Sequence, residues 1–184
     1  MNLRALFWVI VLGAVSAGCT TVRVIDHDGG QNYYDGAFEF ATKEGKINTH
    51  VAGTPFLATA DDFNNQVTTI IYGANFGKNV NYIPSPPNTD KYGYHIVIAF
   101  NVVEPVSIED ICQNAGPVKF EPGRDTTSMQ GIFCQGAYPL SYASGYVSGL
   151  TGPSDPNFTT LLREVALAMI PRYDDYKSGD FSPD

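Results

Sequence analysis

The spacing of hydrophobic residues changes along the chain, and each change of period predicts an element. Phe63, Val67, Ile70, Ile71 and Ala74 recur at the spacing of one helical face, with Asn64, Asn65, Thr68 and Thr69 opposite. Thr59-Ala60-Asp61-Asp62 in front resembles a capping box with Asp in place of Glu, and Gly73 and Gly77 mark the far end. A second helix follows from Phe158, Leu161, Leu162, Val165, Met169 and Ile170. Its signals are Asp155 as N-cap, Pro156 at the first helical position and Pro171 as stop. Between the helices the period falls to two. Tyr94, Ile96, Ile98, Phe100 and Val102 alternate with His95, Val97, Ala99 and Asn101. Both sets carry apolar residues, which predicts a central strand.

Shorter patterns fill in the sheet. Residues 129–135 and 138–148 read as a hairpin turning near Gly136. Tyr138, Leu140, Tyr142 and Tyr146 share one expected face, a tyrosine stripe that could bind carbohydrate or peptide. Ser141, Ala143, Gly145 and Val147 share the other, small enough to lie beneath a helix. An earlier hairpin is expected from Phe38 and Phe40 on one strand and Ile47, Thr49 and Val51 on the next, turning at Lys43-Glu44-Gly45-Lys46. Residues 79–83 suit a short strand. Residues 104–127 read as one long irregular connection, unusual unless pinned or functional. The expected fold is α+β, with two amphipathic helices packed on one face of a mostly antiparallel sheet. That domain spans 36–171, and the acidic tail 172–184 reads as disordered.

The first twenty residues are of another kind. Arg4 precedes an apolar run from Ala5 to Val15, and Ser16-Ala17-Gly18 leads to Cys19. The run is too short to cross a bilayer, which takes about 20 residues, and fits a signal peptide over 1–18. It resembles a bacterial lipoprotein signal, in which the cysteine becomes the lipidated first residue. Ser16 stands where such signals usually carry a branched apolar residue. Ser16 and Gly18 also suit ordinary cleavage, which would leave a secreted chain with a spare thiol. Residues 19–35 then read as a lipidated N-terminus and flexible tether. Thr20 after the cysteine implies, through the same resemblance, the outer membrane, with the domain facing the periplasm. A Tyr33-Tyr34-Asp35-Gly36-Ala37-Phe38 start and a Cys-pinned C-terminal half resemble a family of small proteobacterial outer-membrane lipoproteins. That resemblance implies a location and a fold, and brings no activity with it.

Composition agrees with export. The 184 residues carry a formal net charge of -8, to which the leader contributes only Arg4. So acidic a domain has no broad affinity for nucleic acid. Apart from Cys19, the cysteines are Cys112 and Cys134, whose default in an oxidising envelope is a disulfide. In the chain-entropy account that bond stabilises the fold by about 3–4 kcal/mol.

Motifs for chemistry fail on spacing. Asp26-His27-Asp28-Gly29-Gly30 lacks the glycine and the glutamate of a calcium loop, because Gln31 and Ala37 hold those places. Gly73 to Lys78 has only three residues between its glycines and Asn79 after the lysine, so it is no phosphate loop. His27, His50 and His95 lack zinc-helix spacing, and the Gly-x-Ser-x-Gly elbow is missing. Asn157-Phe158-Thr159 is formally a sequon but falls in a helix start. No cofactor or metal is expected, and no catalytic residue.

Two function classes remain. One is a non-enzymatic envelope component that contacts a protein or the cell wall and reaches the membrane through its lipid. The alternative is a small-molecule or glycan binder, less readily a hydrolase, with a pocket near His95 or Glu109.

Overall fold

The computed structural model describes residues 21–27, 33–34, 36–56, 60–77, 79–86, 93–103, 105–115 and 118–170. The expected signal peptide, Cys19, Thr59 of the capping box and the acidic tail lie outside them.

Six strands form one open mixed sheet: β1 (Arg23–His27), β2 (Lys46–Ala52), β3 (Asn81–Pro84), β4 (Tyr94–Phe100), β5 (Thr126–Gln135) and β6 (Tyr138–Ser148). Their order is β1-β6-β5-β4-β2-β3. The β1–β6, β5–β6 and β4–β5 pairs are antiparallel, whereas β2 runs parallel to both β3 and β4. The sheet is therefore mostly antiparallel with a parallel corner. As expected, β4 lies inside the sheet.

Helices α2 (Ala60–Ile71) and α4 (Pro156–Ala168) pack on the same face. Phe63, Val67 and Ile71 of α2 and Phe158, Leu161, Leu162 and Val165 of α4 join Ile96, Ile98, Phe100, Met129 and Phe133 in one apolar cluster. The small side of β6 is there for α4. A Cβ on Gly145 would lie 2.8 Å from both Leu161 and Val165 side-chain carbons, so only glycine lets the helix seat. The Ser141 hydroxyl donates to the Met169 carbonyl at 2.5 Å and ties down the helix end. Asp155 caps α4 as expected, accepting from the Asn157 amide at 2.9 Å and from the Thr151 amide at 3.1 Å. Those two amides hold its carboxyl below the usual value.

Four expectations are corrected. The first hairpin does not form: its first strand is a short helix, α1 (Ala37–Ala41), with Phe38 buried and Phe40 exposed. Two alternating aromatics in five residues fit a helical turn as well as a strand. The 104–127 connection contains a helix, α3 (Ile108–Asn114), whose Ile111, Cys112 and Ala115 face the sheet from the side opposite α4. Ser107 caps α3, accepting from the Asp110 amide at 3.1 Å. The tether is shorter than expected, because Val22 and Val24 pack on the core and residues 23–27 pair along β6.

The fourth correction concerns the tyrosine stripe. A register shift between Phe133 and Cys134 leaves Leu140 as an extra residue, buried in the main core. Residues paired across antiparallel strands share a face. Tyr142 opposite Ile132 therefore lies on the α3 face, while Tyr138 opposite Gln135 lies on the face of Phe133.

Candidate functional site

Around His95 and Glu109, where the sequence suggested a pocket, the described side chains are placed as follows. His95 points its ring between two carbonyls, with Nε2 3.3 Å from the Cys112 oxygen and Nδ1 3.3 Å from the Gly93 oxygen. His50, on the same face of the sheet, places Nδ1 3.2 Å from the Ser85 oxygen. Burial lowers the pKa of His50, the Ser85 carbonyl acts against that, and the charge of His95 lowers it further. The His50 ring braces the segment after β3, and the His95 ring ties the residue before β4 to α3. Glu109 and Asp110 sit exposed on the first turn of α3, where acids suit the helix dipole. Cys112 and Cys134 are joined in a disulfide with Cα atoms 5.8 Å apart, fastening α3 to β5. Among the described residues, no group of three or more His, Cys, Asp or Glu is placed to hold a metal ion.

The tyrosines part company. Tyr142 packs against the small core beneath α3, and Tyr146 lies farther along that face, opposite Arg23 and Ser128. Tyr138 is 70% exposed at the other end of β6. At that same end of the sheet lies an aromatic group that the sequence reading missed.

Tyr94, Gln135 and Tyr138 form one row across β4, β5 and β6. The Tyr94 ring stacks on Phe133 at 5.9 Å and meets Phe40 of α1 edge-on at 5.9 Å. The Tyr34 and Tyr94 hydroxyls share a short hydrogen bond, which pushes Tyr94 up to about 12. Phe40 is 58% exposed, and the Lys43 ammonium lies 5.3 Å from its ring centre. Tyr34 is also exposed. The starts of β4 and β6 and the outer side of α1 thus present a patch of rings rimmed by Glu39, Lys43 and Gln135. The signal for it was the exposed member of the Phe38–Phe40 pair.

Beside the patch, a cleft of about 140 Å³ opens between α1 and the connection from α2 to β3. Phe38, Glu39, Thr42 and Lys43 form one wall, and Asn75, Phe76 and Val80 the other. The volume falls below the several hundred Å³ usual for small-molecule sites.

No family model matches the sequence, and no curated protein is similar to it. Among solved structures, a PelC dodecamer from Paraburkholderia phytofirmans and a single-substitution variant of it are similar. Each has a TM-score of 0.43 and 11% identity, over 83% of this chain and 99% of theirs. A likeness that distant carries no argument about function or assembly here. Among the described residues, no helix is long and apolar enough to cross a membrane.

Proposed function

We propose that the chain is a non-enzymatic component of the bacterial outer envelope, anchored by a lipid on Cys19, whose domain engages a protein partner through the aromatic patch. The carrying observation is the exposed rings of Tyr34 and Phe40 against Tyr94, with exposed Tyr138 on the same face across Gln135. Tyrosine and phenylalanine gathered on one surface are what protein interfaces enrich, and a polar rim is their usual surround.

The direction of β1 supports the same reading. Cys19 precedes Arg23 by four residues, which span at most about 14 Å however they run. Arg23 pairs with Tyr146, near the end of β6, whereas Tyr138 begins that strand. A lipid on Cys19 would hold the β1 end of the sheet at the membrane and aim the patch away from it.

Two experiments test this. Incorporation of labelled fatty acid in the native host should occur and vanish in Cys19→Ser; a wild-type chain without label removes the anchor. A photo-crosslinking residue at Phe40 or Tyr138 should trap the same protein from both positions, with no adduct from Glu164 on the exposed side of α4. No adduct from either position, or the same adduct from Glu164, removes the docking surface.

A further inference from the structure

The side of the sheet that carries α3 is covered unevenly. The small core beneath the helix reaches along β6 as far as Tyr142. Beyond that point the same face continues over β1, β6 and β5. Val24 packs on the main core, so its neighbours Arg23 and Ile25 lie on the α3 side. Arg23 pairs with Tyr146, and Tyr146 with Ser128, which puts all three in one row. Ile25 stands one row away, diagonal to Tyr146. Ile25 is 48% exposed and Tyr146 38% exposed. Together they make an apolar spot at the outer corner of the sheet.

Two observations say what covers this corner. The first is reach. Cys19 precedes Arg23 by four residues, at most about 14 Å of chain, so a membrane that holds a lipid on Cys19 lies close by. The second is charge. The chain carries a formal net charge of -8 and is repelled as a whole by an anionic surface. Over 126–130 of β5 and 144–148 of β6, however, this face presents only Thr, Ser, Gln and Tyr, and exposed Arg23 supplies the local charge. A guanidinium grips a lipid phosphate with two parallel hydrogen bonds. A tyrosine suits the boundary where one end of the ring is dry and the other wet. An isoleucine beside them can enter the acyl edge. A second copy of the chain fits less well, since each would bring the same cation to the contact.

We infer that the β1–β6 corner on the α3 side is a membrane-contact surface. Arg23 sits on phospholipid phosphates, with Ile25 and Tyr146 at the boundary between head groups and acyl chains. The inference rests on the reading that Cys19 carries a lipid. The lipid attaches the chain, and the corner sets its orientation. Glu109 and Asp110 are exposed on α3 and repel an anionic surface, so the sheet meets the membrane by its corner and not flat. Tyr138 and Tyr146 are eight positions apart on β6, about 25 Å along the strand, and lie on opposite faces. With the corner on the membrane, the aromatic patch is turned outward at the far end of the sheet.

Nitroxide labels on the full-length protein, purified from its native host into vesicles of phosphatidylethanolamine and phosphatidylglycerol, test the contact. The labelling sites are Ile25→Cys at the corner and Glu164→Cys on the exposed side of α4. The mass of the N-terminal peptide reads the lipid in each preparation. The label at 25 should be open to oxygen and shielded severalfold from a water-soluble nickel chelate, relative to the label at 164. Arg23→Glu combined with Tyr146→Ser should remove that difference and leave the melting temperature unchanged. Equal nickel access at both positions in lipidated protein overturns the corner and leaves the anchor standing. An unlipidated wild-type N-terminus overturns the anchor, and this inference with it. Spin–spin broadening at 25 that disappears on dilution with unlabelled chain assigns the corner to a second copy and overturns the membrane contact. Shielding that survives the double variant overturns the roles of Arg23 and Tyr146.

Discussion

The two faces of the sheet are held in different ways. On the α2/α4 face, large side chains interlock: Phe63, Phe100 and Phe158 form a triangle with ring centres 5.4 to 6.0 Å apart. Contact area does the holding there. The α3 face has mostly small sheet residues beneath its helix, Ala52, Val97 and Ala99 beside Ile132, met by Ile111 and Ala115 from the helix. It adds a covalent bond from Cys112 to Cys134 and polar ties from His95 and His50. One face is a core, and the other is a short helix stapled to a sheet.

The contrast is broken most directly at Phe158. Its side chain is buried and touches Phe56, Phe63 and Phe100. Phe158→Ala should cost about 3–5 kcal/mol by denaturant unfolding. A loss below about 1 kcal/mol would mean the α4 face is not the main core.

Removing the staple comes next. The cysteines are separated by 22 positions, and replacing both with alanine should cost about 3 kcal/mol in the chain-entropy account. The effect should also be local. Amides of α3 should exchange faster while those of α2 and α4 keep their relative order of protection. Uniform loss of protection on both faces would contradict the division.

The same contrast explains what could be read from sequence. Elements of the main face carry complete local signals. Phe158, Leu161, Leu162 and Val165 fix the apolar side of α4, Asp155 and Pro156 mark its start, and β4 alternates over its whole length. Even Gly145 and Ser141 were legible as a surface for a helix. The α3 face is assembled from weaker pieces. Ile108, Ile111, Cys112 and Ala115 do follow a helical spacing after Ser107, but the helix is only seven residues long and is framed by Pro105 and Pro117. Strand β1 depends on β6, its partner far along the chain, so nothing local distinguishes it from a linker. The Leu140 bulge is a property of pairing, not of either strand alone, and it moved Tyr138 off the expected stripe. The aromatic patch was hidden for the same reason, since Tyr34, Phe40, Tyr94 and Tyr138 come from four separate segments.

A smaller change sharpens the picture at the start of α4. Asp155→Ala removes acceptors for the Asn157 and Thr151 amides and should cost about 1 kcal/mol. The depressed carboxyl contributes stability above its unfolded value of 3.8, and this is lost as pH falls through the lower folded value. The alanine variant should therefore lose less stability than wild type on acidification below about pH 4. An unchanged acid slope would show that the cap contributes nothing.

The smallest expected effect separates the faces by pH. The main face is built from apolar side chains, whereas His50 and His95 share the α3 side of the sheet. Burial lowers His50 below its usual 6.5, so the unfolded chain binds its proton more readily than the folded one. Between the folded value and 6.5, stability therefore rises with pH, and it is lost as pH falls through 6.5 toward the folded value. The Ser85 carbonyl limits the loss by accepting from the charged ring, which is why the effect ranks below the substitutions above. Denaturant midpoints measured from about pH 7.5 down to about pH 5.5 should fall in wild type and fall less in His50→Gln. Amide exchange should place the acid-induced loosening around β2 and residues 84–86, ahead of α4. Equal slopes in wild type and variant would assign the pH response elsewhere, and loosening that begins in α4 would put it on the apolar face.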